Sequence, residues 1–167
     1  MLSFRRTAPS DLDAVLNMEQ RFSAFVGQWT RETHLAALDD PSSIAHLLFY
    51  HEEEPLAGYA ILRGLNLDSR SIELMRIAMG SPDKGYGRQA LALTLGWCFG
   101  ERKAHRVWLD VRAQNTRAQH VYKAMGFTLE GVLRDAICVN GAFESLMVMS
   151  LLEDEYRRLF LIAAPPG

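Results

Sequence analysis

Ser81-Pro82-Asp83-Lys84-Gly85-Tyr86-Gly87-Arg88-Gln89-Ala90-Leu91 sets two glycines around a tyrosine, places a basic residue on either side, and passes at once into a helical pattern. Leu91, Leu95, Cys98 and Phe99 follow at i, i+4, i+7 and i+8, with Ala90, Leu93 and Trp97 in the neighbouring stripe. The segment after the loop therefore reads as a largely buried helix. Before the loop, residues 72–79 read as a strand. Strict alternation puts Leu74, Arg76 and Ala78 on one face and Glu73, Met75, Ile77 and Met79 on the other. Residues 106–112 read as a further strand. The order strand, glycine loop, helix, strand is a βαβ crossover, with its loop at the end of the strand where an α/β sheet holds ligands.

The rest of the chain extends this pattern. Residues 2–6 read as a strand, and Ser10-Asp11-Leu12-Asp13 carries cap chemistry for a helix continuing through Ala14, Val15 and Met18. A second helix is expected from near Thr30 to before Asp40-Pro41. Two apolar runs, 45–51 and 56–63, flank Glu52-Glu53-Glu54-Pro55 and predict a hairpin with an acidic turn. Asn115 offers an N-cap to a helix holding Ala118, Val121, Tyr122 and Met125, which Gly126 ends. Asn140-Gly141 between runs 128–139 and 143–152 signals a tight hairpin, and residues 153–160 suit a terminal helix. No internal repeat or linker divides the chain, so one domain over residues 1–167 is expected.

With 49% hydrophobic and 23% charged residues the composition is that of a globular protein. A net charge of -2 gives no electrostatic reason to expect nucleic acid or a membrane surface as partner. Cys98 and Cys138 lack the paired spacing of a zinc site, so no metal is implied and buried thiols in a reducing compartment are expected. Residues 1–6 run into Thr7-Ala8-Pro9 instead of an apolar stretch, which argues against a signal peptide and for a cytoplasmic location.

Amides at a helix N-terminus carry partial positive charge, so the glycine loop suits a phosphate, with Lys84 and Arg88 adding to it. A tight turn needing positive φ explains the same glycines. Neither the Walker A pattern nor the dinucleotide fingerprint fits, because Gly87 is followed by Arg88-Gln89-Ala90.

About thirty residues on, the segment from Asp110 through Asn115, Ala118, Tyr122 and Gly126-Phe127 resembles the Asn-x-x-Ala-x-x-x-Tyr-x-x-x-Gly-Phe signature of the GNAT superfamily of acyl-CoA N-acyltransferases. The pyrophosphate loop of that family, Gln/Arg-x-x-Gly-x-Gly/Ala, maps to Pro82-Asp83-Lys84-Gly85-Tyr86-Gly87. Arg134-Asp135, Asn140-Gly141 and Glu153-Asp154-Glu155-Tyr156 look most like the branch with ribosomal-protein and antibiotic acetyltransferases. The resemblance implies an α/β (α+β) fold: a mixed, mostly antiparallel sheet of about seven strands flanked by helices.

It also implies acetyl-CoA as cosubstrate and a primary amine, a protein N-terminus or a small amine, as acceptor. The pantetheine arm would pair with the strand at Ile77, Ala78 and Met79, and the diphosphate would sit over Lys84, Gly85, Tyr86, Gly87 and Arg88. Asn115 and Ala118 would line the arm. Tyr122 would lie near the thioester sulfur and stabilise the departing thiolate. Asn115 is equally read as an N-cap, and Tyr122 as the polar-tipped aromatic of a core stripe. Glu73 is the leading candidate base, through water; a salt-bridged strand-end glutamate is the rival reading, and His34 and His120 are weaker choices of base. Phe22, Phe25, Trp29 and His34 fall where the family holds its acceptor, though an aromatic cluster also suits a core. Pro82 departs from the family's Gln or Arg, which removes one backbone donor and leaves more of the diphosphate to the helix and its cations. A homodimer is compatible with the resemblance, and so is a non-catalytic acyl-CoA sensor of the same fold.

Overall fold

The computed structural model describes residues 1–23, 27–81 and 84–161. Phe25, Pro82 and Asp83 lie outside the described residues. Seven strands form one sheet in the order β1-β2-β3-β4-β5-β7-β6. These are β1 (Ser3–Arg6), β2 (Ile44–His51), β3 (Glu54–Arg63), β4 (Ser71–Met79), β5 (Arg106–Arg112), β6 (Thr128–Val139) and β7 (Ala142–Leu152). Every neighbouring pair is antiparallel except β4 and β5. The helices are α1 (Leu12–Arg21), α2 (Arg31–Leu38), α3 (Tyr86–Gly96), α4 (Thr116–Ala124) and α5 (Glu153–Phe160). None is long and apolar enough to cross a membrane.

Two apolar cores flank the sheet. The larger joins Leu91, Leu95, Cys98 and Phe99 of the α3 segment to Leu47, Phe49, Leu62, Leu74, Val107, Leu109 and Met149. The smaller packs Val15 and Met18 of α1 against Tyr59, Ile61 and Ala78. The Asn140-Gly141 turn is confirmed, with φ of 51° and 80°, the left-handed pair that a two-residue hairpin requires. The acidic turn is tighter than expected. β3 starts at Glu54, and Pro55 stands before Gly58, the first β3 residue paired with β4, so its missing N–H costs no rung there. Cys98 is buried as expected, whereas Cys138 is exposed, because β6 turns that position outward.

One feature of β4 corrects the strict alternation expected for it. Ile61 pairs with Arg76 and Leu62 with Leu74, so Met75 is an extra residue in a β-bulge. A bulge swaps the faces of everything beyond it. Leu74 consequently shares the large core with Ile77 and Met79, while Met75 and Ala78 join the small one. Glu73 no longer shares a face with Ile77.

Candidate active site

β4 and β5 pair over three rungs only, Ser71–Arg106, Ile72–Val107 and Glu73–Trp108, and then separate. The edge of β4 beyond Glu73 thus faces a gap. Gly80 N–H donates to Ala57 C=O at 2.8 Å, so strand alternation points the backbone groups of Ala78 toward β3 and those of Ile77 and Met79 into the gap. Of the Ile77 and Ala78 amides, only that of Ile77 is directed into the gap.

The glycine loop closes one end of this gap. Gly85 caps α3 in the left-handed conformation, φ 71°, with no side chain on the cap and no acidic residue in the first turn. A Cβ on Gly85 would meet nothing, so conformation alone asks for glycine there. Gly87 has ordinary backbone and faces Met79 at van der Waals distance. Its bareness keeps the floor of the loop open. Lys84 lies 3.8 Å from Glu54 and over the Tyr86 ring, and the Tyr86 hydroxyl meets His51 Nε2 at 2.7 Å.

On the opposite side, Asn115 caps α4 by accepting from Ala118 N–H at 3.1 Å, and its amide nitrogen makes no hydrogen bond among the described residues. Ala118 and Tyr122 pack partly buried against the large core. The Tyr122 ring lies 5.8 Å from Phe127, and its hydroxyl has no hydrogen-bond partner among the described residues. Burial first, and the charge of Asp110 second, push its phenol up to about 12.

Asp110 is a residue that sequence reasoning missed. It lies on β5 two residues past the last rung, and its carboxyl is held above the usual carboxylate range by desolvation and then by Glu73, with Arg63 opposing. Glu73 itself is tied to Arg63 through two hydrogen bonds of 2.9 and 3.0 Å, as its rival reading had it. The sequence carried no signal for Asp110 beyond a polar residue alternating with Leu109 and Val111.

The acceptor-side residues gather around a second unforeseen carboxylate. Glu19, 2% exposed, accepts from Tyr59 O–H at 2.6 Å, Arg76 N–H at 2.6 Å and the Trp29 backbone N–H at 3.1 Å. Desolvation opposes its charge, yet His34 first, and then the Tyr59 hydroxyl and the Trp29 amide, bring its pKa down to about 2. Trp29 lies over the Arg76 guanidinium at 5.2 Å. His34, expected beside an acceptor, has no exposed surface. Its Nδ1 meets His46 Nε2 at 3.0 Å, and His46 Nδ1 meets Thr7 Oγ1 at 2.8 Å. His34 therefore stands behind Trp29 and does not line a pocket. Phe22 is half-buried against the small core, and His120 is exposed. The signal for Glu19 was there to read: Leu12, Val15 and Glu19 at i, i+3 and i+7 put a carboxylate on the buried stripe of α1.

The profile of the acetyltransferase (GNAT) family matches residues 12–127. A spermidine N(1)-acetyltransferase of Vibrio cholerae is 30% identical over 105 residues, covering 62% of this chain and 61% of that protein. The chain thus spans less than two thirds of the length of that relative. A Bacillus subtilis protein provisionally named ribosomal protein bS18-alanine N-acetyltransferase is 27% identical over 146 residues, covering 86% of this chain and 91% of that one. In three dimensions, the Vibrio cholerae spermidine N-acetyltransferase in complex with CoA and spermine superposes with a TM-score of 0.82 at 23% identity, covering 93% of this chain and 97% of the other. That likeness establishes the fold, and the family match extends over more than half of the sequence. This chain belongs to the acetyltransferase (GNAT) family.

Proposed function

We propose that the protein transfers the acetyl group of acetyl-CoA to a primary amine, and that the gap between β4 and β5 is where the thioester lies. The observation that carries this reading is a gap between β4 and β5 into which the Ile77 amide points, with Asp110 and Tyr122 close to one another beside it and the N-terminus of α3, which has no side-chain cap, beyond Met79. An uncapped helix end binds a diphosphate through backbone amides. The free β4 edge accepts an extended pantetheine arm as an additional strand.

Asp110 has the properties of a base that acts through water: an exposed carboxyl group with raised proton affinity. The amine nitrogen then attacks the carbonyl carbon, the C–N bond forms, and Ile77 N–H stabilises the oxyanion. Collapse breaks the C–S bond. CoA thiolate, with a thiol pKa of about 8.5, cannot take the Tyr122 proton cheaply from a phenol near 12; the mismatch is roughly 5 kcal/mol. Tyr122 therefore serves as a hydrogen-bond donor to the sulfur, and the thiolate takes its proton from solvent.

A small amine is the leading acceptor, in keeping with the names of the spermidine-acetylating relatives. A protein N-terminus is the second reading, favoured by the Bacillus subtilis relative that matches more of the chain. Thiol release from acetyl-CoA across polyamines, amino acids and N-terminal peptides tests both. Turnover with small amines and none with peptides is expected. No thiol release with any amine would defeat the proposal.

A further inference from the structure

Glu19 is an expensive residue to bury, and its surroundings indicate what it is for. An ion pair inside a protein is weak as a source of stability, because an apolar replacement of similar volume is often as stable or more so. The Glu19–Arg76 pair is shielded to 2% and 10% side-chain exposure, and it is completed by donors from two further segments, Tyr59 on β3 and the backbone at Trp29, with His34 of α2 alongside. His34 Nε2 stands 3.1 Å from Glu19 Oε1 without an aligned hydrogen bond, and its Nδ1 is held by the His46–Thr7 chain. With Thr7 O–H donating to His46 Nδ1 and His46 Nε2–H donating to His34 Nδ1, the proton of His34 sits on the nitrogen that faces Glu19. The anion is thus held from several directions at once.

One of the groups it holds, the Arg76 guanidinium at 2.6 Å, is carried by the strand that borders the gap. Arg76 follows the bulged residue Met75 and directly precedes Ile77. Its guanidinium is bonded to Glu19 on one nitrogen and covered by Trp29 across its face, and its other nitrogen passes so close to Gly27 that an added Cβ there would lie 2.9 Å away. A side chain fixed in this way at a bulge fixes the backbone that carries it, and through Trp29 it fixes the segment ahead of α2 against β4.

We infer that Glu19 is a positioning residue for acyl transfer: through Arg76 it holds the β4 bulge that aims the Ile77 amide into the gap, and through the backbone of Trp29 it holds the wall of the acceptor side. This rests on the acetyl-transfer reading. Glu19 touches no reacting atom in it, and its effect falls on the transfer step more than on acetyl-CoA affinity, most of which the diphosphate draws from the α3 loop.

The test uses Glu19→Gln, Arg76→Met and the double variant, each assayed below its own unfolding temperature. Thiol-release kcat is measured with the amine that the wild type uses best, and acetyl-CoA affinity is measured by calorimetry. Glu19→Gln leaves the Arg76 charge uncompensated and lowers Tm, while the double variant removes both charges and regains it. The expected result is that kcat stays down by ~10- to 100-fold in the double variant, the scale of a misplacement of about 1 Å, while acetyl-CoA Kd remains at the wild-type value. Recovery of kcat along with Tm would show a merely structural pair and overturn the inference. So would a loss of acetyl-CoA affinity in proportion to kcat. A wild type that releases no thiol fails before any variant is made, and it takes the acetyl-transfer reading and this inference down together.

Discussion

The two ends of the gap are built in opposite ways. At α3 the protein offers backbone: a left-handed Gly85, an uncapped first turn, and an open floor at Gly87. Three of the other helices fill their own ends. Thr30 caps α2, Asn115 caps α4, and Glu153, Asp154 and Glu155 occupy the first turn of α5. Leaving one helix end unfilled makes a site for an anion, and a few consecutive residues suffice to specify it. At α1 and α2 the protein offers side chains, with Glu19 at the centre of a web that joins six other segments between Thr7 and Arg76. A backbone site tolerates change in the side chains around it, whereas a side-chain web is only as good as each member.

The largest effect should come from the chemistry between those ends. Asp110→Asn is expected to slow thiol release by ~10² to 10⁴, the range for a lost general base, with acetyl-CoA affinity unchanged by calorimetry. A variant that bound acetyl-CoA poorly would break the division between binding and chemistry. Next, Tyr122→Phe should lower kcat by about 10², as for one removed donor to a developing charge. Its pH profile should keep the limb belonging to Asp110, and loss of that limb would mean that Tyr122 carries the titration.

The side-chain end should be acid-sensitive. Burial first, and the neighbouring His34 second, lower the pKa of His46 from 6.5 to about 4. A lowered folded-state value means that stability is complete above 6.5 and is lost as pH falls toward 4. By pH 5 the loss should reach roughly 2 kcal/mol, seen as a falling Tm. Glu19, lowered to about 2, adds a further loss as pH falls below 4.5. His46→Gln should flatten the first window and leave the second. A Tm equal at pH 7 and 5 in the wild type would remove the web as the acid-sensitive region.

The backbone end gives the smallest effects, and they should divide by type. Gly87→Val is expected to weaken CoA binding at least tenfold, about 1.4 kcal/mol, because its side chain enters the open floor. Lys84→Ala and Arg88→Ala should each cost less than about 1 kcal/mol, as exposed cations near a helix end do. Lysine and arginine losses larger than that of Gly87→Val would reverse the contrast between the two ends.

Much of the fold was legible in particular residues. The Leu91–Phe99 stripe announced a buried helix, and Asn140-Gly141 announced its hairpin, because each signal is local and has one low-energy outcome. The cap at Asn115 was read as one of two roles, and the structure forms it. The bulge at Met75 was not legible, since nothing in Ile72-Glu73-Leu74-Met75-Arg76-Ile77 marks an extra residue, and it reversed the faces on which the choice of Glu73 had rested. Asp110 acquired its raised proton affinity from partial desolvation beside the gap and then from Glu73, neither of which a strand pattern contains.

By itself, the sequence determined the alternation of strands and helices, the bare loop before α3 and the tight turns, since these depend on backbone preferences within a few residues. Only the tertiary structure decided where β4 and β5 part, that Ile77 and not Ala78 faces the gap, and that Glu19 lies buried under Arg76 and Trp29. Those outcomes come from pairing register and desolvation, which exist only once segments far apart in the chain are brought together.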